Sequence, residues 1–72
     1  MKDLEELQGA KAIIKAVFET PAEMARSLKI PARTVYEWNK NDNVPLVRRR
    51  FVIAACKRRG YVVSFEQLRG VK

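Results

Sequence analysis

Arg33, Tyr36 and Glu37 are spaced so that a helix would present all three head groups on one face. An arginine guanidinium offers a planar fork that suits O6 and N7 of guanine, and a glutamate can accept from N4 of cytosine. Ala32 beside them, or the ring of Tyr36, could touch a thymine methyl or the backbone. The same side chains would serve equally well as a solvated surface, so the elements that hold them decide the reading. Other chemistry has less to work with. The chain has no histidine and a single cysteine, Cys56. An internal disulfide, a zinc site and histidine acid–base work therefore lack their residues. The carboxylates of Glu19, Glu23, Glu37 and Asp42 are scattered with no nucleophile–base pair. Neither an enzyme nor a cofactor is expected, and Cys56 reads as a small buried hydrophobe.

Charge narrows the partner. The 72 residues carry a formal +7, with Lys and Arg against Asp and Glu at three to four in residues 1–19, four to three in 20–44 and eight to one in 45–72. A basic C-terminal third is what a polyanion binder shows, although a merely soluble basic surface would look alike. Chains this short bury only about 60% of their unfolded surface and often complete a core by pairing. Nearly half the residues are hydrophobic and no stretch is low-complexity, so a single folded domain over 1–72 is expected. The start, Met1-Lys2-Asp3-Leu4-Glu5-Glu6, is acidic rather than a basic run before an apolar one, and the longest apolar run, Phe51 to Cys56, is too short to span a membrane. A cytoplasmic protein is expected.

The elements that would position Arg33 and its neighbours are helices. Asp3 and Glu6 form a capping-box pattern, and Leu4, Leu7, Ile14, Val17 and Phe18 keep helical spacing, with Gly9 weakening the middle. Residues 3–8 thus read as a frayed extension of a helix that starts near Gly9. Thr20-Pro21-Ala22-Glu23 is the clearest start signal: Thr20 can cap the Glu23 N–H, Glu23 can reach back, and Pro21 wastes no donor. That second helix runs to Leu28, and a turn at Lys29-Ile30-Pro31 leads to a third from Ala32 to about Asn39, with Val35 and Trp38 facing inward. Two helices joined by so short a turn, with Ala25 small enough for a close crossing, form a helix-turn-helix. Thr20 and Ala22 would point backbone N–H groups at a phosphate. Asn39, Lys40 and Asn41 read as a flexible polar turn beside the reading helix and as phosphate contacts, or as plain turn chemistry.

A fourth helix opens at Pro45 and stops at Gly60. Arg48-Arg49-Arg50 lies in its first turns, where the helix dipole disfavours cations, so an anionic partner is inferred. Side chains 100° apart cannot all face one strand, and Arg48 is taken as the phosphate contact. Val47, Phe51, Ala54 and Ala55 form one apolar stripe, suited to packing beneath Trp38 and the first helix. Leu46, Val52, Ile53 and Cys56 form another around the back. The extended run Tyr61-Val62-Val63, with Phe65 and Leu68, covers that back stripe either within one chain or from a second subunit. On the second alternative Val52, Ile53, Cys56, Tyr61, Val62 and Val63 make a dimer interface. Ser64 and Gln67 form a weaker capping box for a last turn through Leu68.

Residues 9–70 resemble the Cro and YdaS-like antitoxin group of phage and prophage regulators. That group shows Phe-Gly-Ser, then Leu-Ala-x-x-Leu-Gly-Ile, then Ser-x-x-x-Val-x-x-Trp, then Ile-Pro. The counterparts here are Phe18-Glu19-Thr20, Met24-Ala25-Arg26-Ser27-Leu28-Lys29-Ile30, Val35-Tyr36-Glu37-Trp38 and Val44-Pro45. The resemblance implies an all-α, lambda-repressor/Cro-like domain of four to five short helices, with a short extended segment near 61–63. It places the base-facing positions on Ala32, Arg33, Tyr36 and Glu37, as helical periodicity does. Glycine usually stands in that group where Lys29 stands here, and a left-handed lysine costs roughly 1–2 kcal/mol. The expectation is a sequence-specific regulator of transcription, a repressor, that binds double-stranded DNA as a homodimer. Three alternatives stay open: an antitoxin-type module whose partner is a toxin, an excisionase- or activator-like DNA-binding protein, and an RNA binder. Excisionases normally add a β-hairpin wing, for which one short strand is too little, and the aromatic sheet of an RNA-recognition fold is missing.

Overall fold

Thr20 does what its place before Pro21 demands. Its hydroxyl accepts the Glu23 N–H at 3.2 Å, and α2 (Pro21–Leu28) follows. The Glu23 carboxylate does not reach back as the capping pattern predicted. It holds Arg26 at 2.7 Å and lies 3.8 Å from Arg59, because a guanidinium is a stronger partner for a carboxylate than a neutral amide. The computed structural model describes residues 2–4 and 6–70. Besides α2 it contains α1 (Ala10–Val17), α3 (Ala32–Asn41) and α4 (Leu46–Arg58). Two short strands, β1 (Lys2–Asp3) and β2 (Tyr61–Val62), and a 3-10 turn at Glu66–Leu68 complete it. The result is an all-α globule of four helices with a minimal ribbon, and none of these helices is long and apolar enough to cross a membrane.

Helix ends explain the path of the chain. Glu19, Lys29 and Asp42 follow α1, α2 and α3, and all three take the left-handed conformation, at φ 73°, 59° and 56°. The left-handed Lys29 anticipated from the missing glycine is therefore present. The backbone that follows satisfies carbonyls of the preceding turn, with the Ile30 N–H on Ala25 O and the Asn43 N–H on Trp38 O, each at 3.1 Å. Pro31 and Pro45 then set the entry to α3 and α4.

Helix α3 runs further than expected. Asn39, Lys40 and Asn41 form its last turn rather than a flexible polar turn, since the stop is supplied by Asp42 and Asn43. Asn43 fastens this corner: its Oδ1 accepts from Arg49 at 3.2 Å and from the Gly70 N–H at 3.3 Å.

The N-terminal segment departs most from expectation. Residues 3, 4 and 6–8 do not extend α1, and Glu5 lies outside the described residues. β1 pairs in parallel with β2, in the register Lys2 with Tyr61 and Asp3 with Val62. The buried Gln67 amide donates to the carbonyls of Leu4 and, at 3.1 Å, Leu7, while its Oε1 accepts the Ser64 N–H at 2.9 Å. Helical spacing of Leu4 and Leu7 was thus a coincidence of composition. What orders this segment is a partner strand and a side-chain amide about sixty positions away.

The core is formed by Ile13, Ile14, Val17 and Phe18 of the first helical region, Met24 and Ala25 of α2, Val35 and Trp38 of α3, and Val52, Ala55 and Cys56 of α4. Val63 and Leu68 close it from the C-terminal side, and β2 packs on α4. Two expectations about α4 are corrected here. Val47 is 75% and Phe51 55% exposed, so they do not pack beneath Trp38 and α1; of that stripe only Ala55 is buried. Val52, Cys56 and Val63 are buried within one chain and are not free to form a dimer interface. The inward face is Arg49, Val52, Ala55 and Cys56, a 3–4 repeat in which Arg49 lies partly buried and donates to Val44 O at 2.8 Å. Of the proposed interface, Ile53 and Tyr61 are half-buried and Val62 is exposed.

Candidate nucleic-acid interface

Helix α3 is anchored on one side and open on the other. Val35 and Trp38 are buried in the core, and α3 packs against α2, where Ala25 is buried as well. With 100° per residue, burial of 35 and 38 turns 32, 33, 36, 37 and 40 outward. Ala32, Arg33, Tyr36, Glu37 and Lys40 are all exposed. Arg33 and Glu37 stand one turn apart yet do not pair: the ion pairs among the described residues are Arg26 with Glu23 and Arg59 with Glu23. The Arg33 guanidinium therefore keeps its donors for an outside acceptor.

The flanking positions differ in what they have left to offer. Thr20 is exposed, and its hydroxyl, while accepting the Glu23 N–H, keeps its own O–H to donate. Pro21 has no donor, and the N–H of Ala22, in the first turn of α2, has no helical acceptor. Lys40 and Asn41 are exposed on the last turn of α3, while Asn39 is half-buried. Arg48 is exposed, whereas Arg49 is held by Val44 O and Asn43. The arginine run thus divides, with Arg49 held and Arg48 and Arg50 exposed.

Arg69 is a residue that sequence reasoning did not single out. It lines a depression of about 550 Å³ together with Lys40, Asn41, Asp42, Asn43 and Arg49, so that an acidic side chain stands among the cations. This gathers cations from α3, α4 and the segment after the 3-10 turn at one corner. A lone arginine between Leu68 and Gly70 carries no signal of that; the signal lies in Gly70, whose N–H is tied to Asn43.

Compared with models of known families, with curated proteins and with solved structures, the chain matches none. The site's own chemistry therefore carries the reading. Among the described residues no group of three histidine, cysteine or acidic side chains comes together as a metal site. Cys56 is fully buried, and burial pushes its thiol up to about 11, so it is no nucleophile at neutral pH.

Proposed function

We propose that this chain is a sequence-specific DNA-binding regulator of helix-turn-helix type, in which α2 and α3 form the motif and α3 reads the major groove. The observation that carries the reading is the outward face of α3. Ala32, Arg33, Tyr36, Glu37 and Lys40 are exposed together on a helix fixed by Val35 and Trp38, and Arg33 has no acceptor among the described residues. Arg33 is assigned to guanine and Glu37 to cytosine, with Ala32 and Tyr36 against a thymine methyl or the sugar. The Ala22 N–H, Lys40, Asn41 and Arg48 are assigned to phosphates that fix the register. The pattern shared with the Cro and YdaS-like group supports a repressor of phage or prophage type.

A single reading helix covers few base pairs, so two copies on a two-fold site are part of the proposal. They would set two copies of α3 about 34 Å apart. The surface left for pairing is exposed Val62 with half-buried Ile53 and Tyr61.

The test is binding to duplex DNA as a function of salt, followed by selection of bound sequences from a random pool. If six phosphates are neutralised, the log–log slope against salt is about −5, at −0.9 for each. Affinity that does not change between about 50 and 200 mM salt overturns the proposal. So does a pool that yields no preferred motif.

A further inference from the structure

The first turns of α4 carry Leu46, Val47 and Phe51, three of the six large apolar side chains that stand exposed among the described residues. Val47 and Phe51, four positions apart, share one face of α4. Phe51 and Ala54 line a groove of about 640 Å³ between α4 and the turn that joins α2 to α3, where Leu28 and Ile30 form the facing wall and Trp38 the end. Lys29, Arg48 and Arg58 stand along its edges, and none of the three has a carboxylate partner among the described residues. A largely apolar trough whose charged residues are all cations specifies its occupant in two ways at once. Apolar bulk is needed for the floor and negative charge for the rim.

Those two demands separate the candidates. A DNA backbone would neutralise Arg48 but would leave Phe51 and Val47 without apolar contact. A second copy of this chain would bring apolar surface but the wrong charge, because every charged side chain on α4 is basic and the whole chain stands at +7. The chain's own acidic and apolar stretch, Asp3 to Leu7, is not free to supply the filling. Leu4 is buried and the carbonyls of Leu4 and Leu7 are held by Gln67.

We propose that the groove between α4 and the α2–α3 turn docks an acidic helical segment of another protein. That segment has bulky apolar residues along one face and carboxylates on its flanks. From Arg48 to Arg58 the groove follows α4 for about 15 Å, the length of roughly three helical turns. Apolar anchors at i, i+3, i+4 and i+7 would lie along Leu28, Ile30 and Phe51, and flanking carboxylates would meet Lys29, Arg48 and Arg58. The groove shares Arg48 with the proposed phosphate contacts, so the peptide is titrated in the absence of DNA.

The probe is a synthetic peptide of about four helical turns, with leucines at i, i+3, i+4 and i+7 and glutamates between. It is titrated into the isotope-labelled protein, and amide shifts are followed by NMR. Two control peptides replace the glutamates by lysines or the leucines by serines. The expected result is saturable shifts at Leu28, Ile30, Phe51 and Ala54, with both controls at least about tenfold weaker. Phe51→Ala weakens the glutamate peptide about tenfold, and Val47→Ser weakens it too. Both sites are more than half exposed, so the variants keep their fold. Arg48→Ala weakens binding and flattens its salt dependence. The inference is overturned if the lysine peptide binds as well, if the shifts fall elsewhere, or if Phe51→Ala changes nothing. It is overturned equally if the free protein sediments as a dimer that Phe51→Glu makes monomeric, which assigns the groove to a second copy. A loss of duplex affinity in Phe51→Ala as large as in Arg33→Ala would assign it to DNA instead.

Discussion

Asp42 caps a helix that begins 32 residues before it. Its Oδ1 accepts the Lys11 N–H at 3.0 Å, near the start of α1, where Gly9 has no side chain to offer. The same carboxylate sits at the C-terminal end of α3, where the dipole opposes it, so its place is justified by α1. Asp42→Ala should lower stability in urea by about 1–2 kcal/mol, and Asp42→Asn by much less, because asparagine keeps the acceptor and tolerates a left-handed backbone. Gly9→Ala should cost more than Asp42→Ala. At φ 101° a new Cβ would meet Asp42 Oδ1 at 2.5 Å. The two changes combined should cost less than their sum, since one removes what the other strikes. Strict additivity would show that the contact carries no energy.

Glu19 and Lys29 hold exposed left-handed positions that glycine would occupy without strain. Relief of roughly 1–2 kcal/mol, less the extra freedom glycine gives the unfolded chain, leaves a gain of about 0.5–1 kcal/mol for Lys29→Gly. Glu19→Gly should gain a similar amount. Thermal melts of both variants check this; a lower melting temperature would mean the side chains do more than stand in solvent.

Base reading and phosphate contact should separate on α3. Arg33→Ala should cost about 1–3 kcal/mol on the selected sequence and relax preference at one base pair, whereas Lys40→Ala should weaken all sequences alike. Repeating the selection with each variant is the measurement. An unchanged motif for Arg33→Ala would remove that residue from base reading.

Cys56 gives the protein an alkaline limit. Its thiol titrates near 11 when folded, against 9.0 when free, so the folded state holds the proton more tightly than the unfolded one. That stabilisation is complete below pH 9 and is lost as pH rises towards 11, by about 2–3 kcal/mol in all. Stability of the wild type and Cys56→Ala, measured across this range, should converge as the pH rises. At pH 8 the folded thiol should resist aromatic disulfide reagents, reacting only through unfolding.

Assembly should follow DNA rather than precede it. With Val52, Cys56 and Val63 enclosed in one chain, the free protein should sediment as a monomer and pair on a two-fold duplex. Val62→Glu should then weaken the two-copy complex while leaving the single chain folded. A monomer bound to a non-palindromic site would remove the dimer.

What could be read in advance was what local chemistry decides. Thr20-Pro21, Pro45 and Gly60 punctuate α2 and α4 within a few residues: α2 begins at Pro21, and α4 runs from Leu46 to Arg58. The outward set on α3 follows from Val35 and Trp38 by period alone. The N-terminal strand was illegible because Asp3 and Glu6 imitate a local cap, whereas their neighbours are ordered by Tyr61, Val62 and Gln67. The rotation of α4 was hidden for another reason. A helix apolar on two faces does not say which face turns inward, and here the inward one includes Arg49, whose head group is satisfied by Val44 and Asn43.

The parallel ribbon and the Gln67 amide together shut a loop of almost the whole chain. The four helices meet through short connections, so their mutual contacts form early, while a clasp across sixty positions must wait for its ends to find each other. It carries few hydrogen bonds with which to offset that wait, so it closes last in folding and opens first in the native state. Opening it uncovers Leu4 and the flank of α4 under β2 without melting α2 or α3. The α3 face can therefore stay assembled while the far side of the molecule breathes, and amide exchange at Leu4 and Gly9 should run ahead of exchange at Val35 and Trp38.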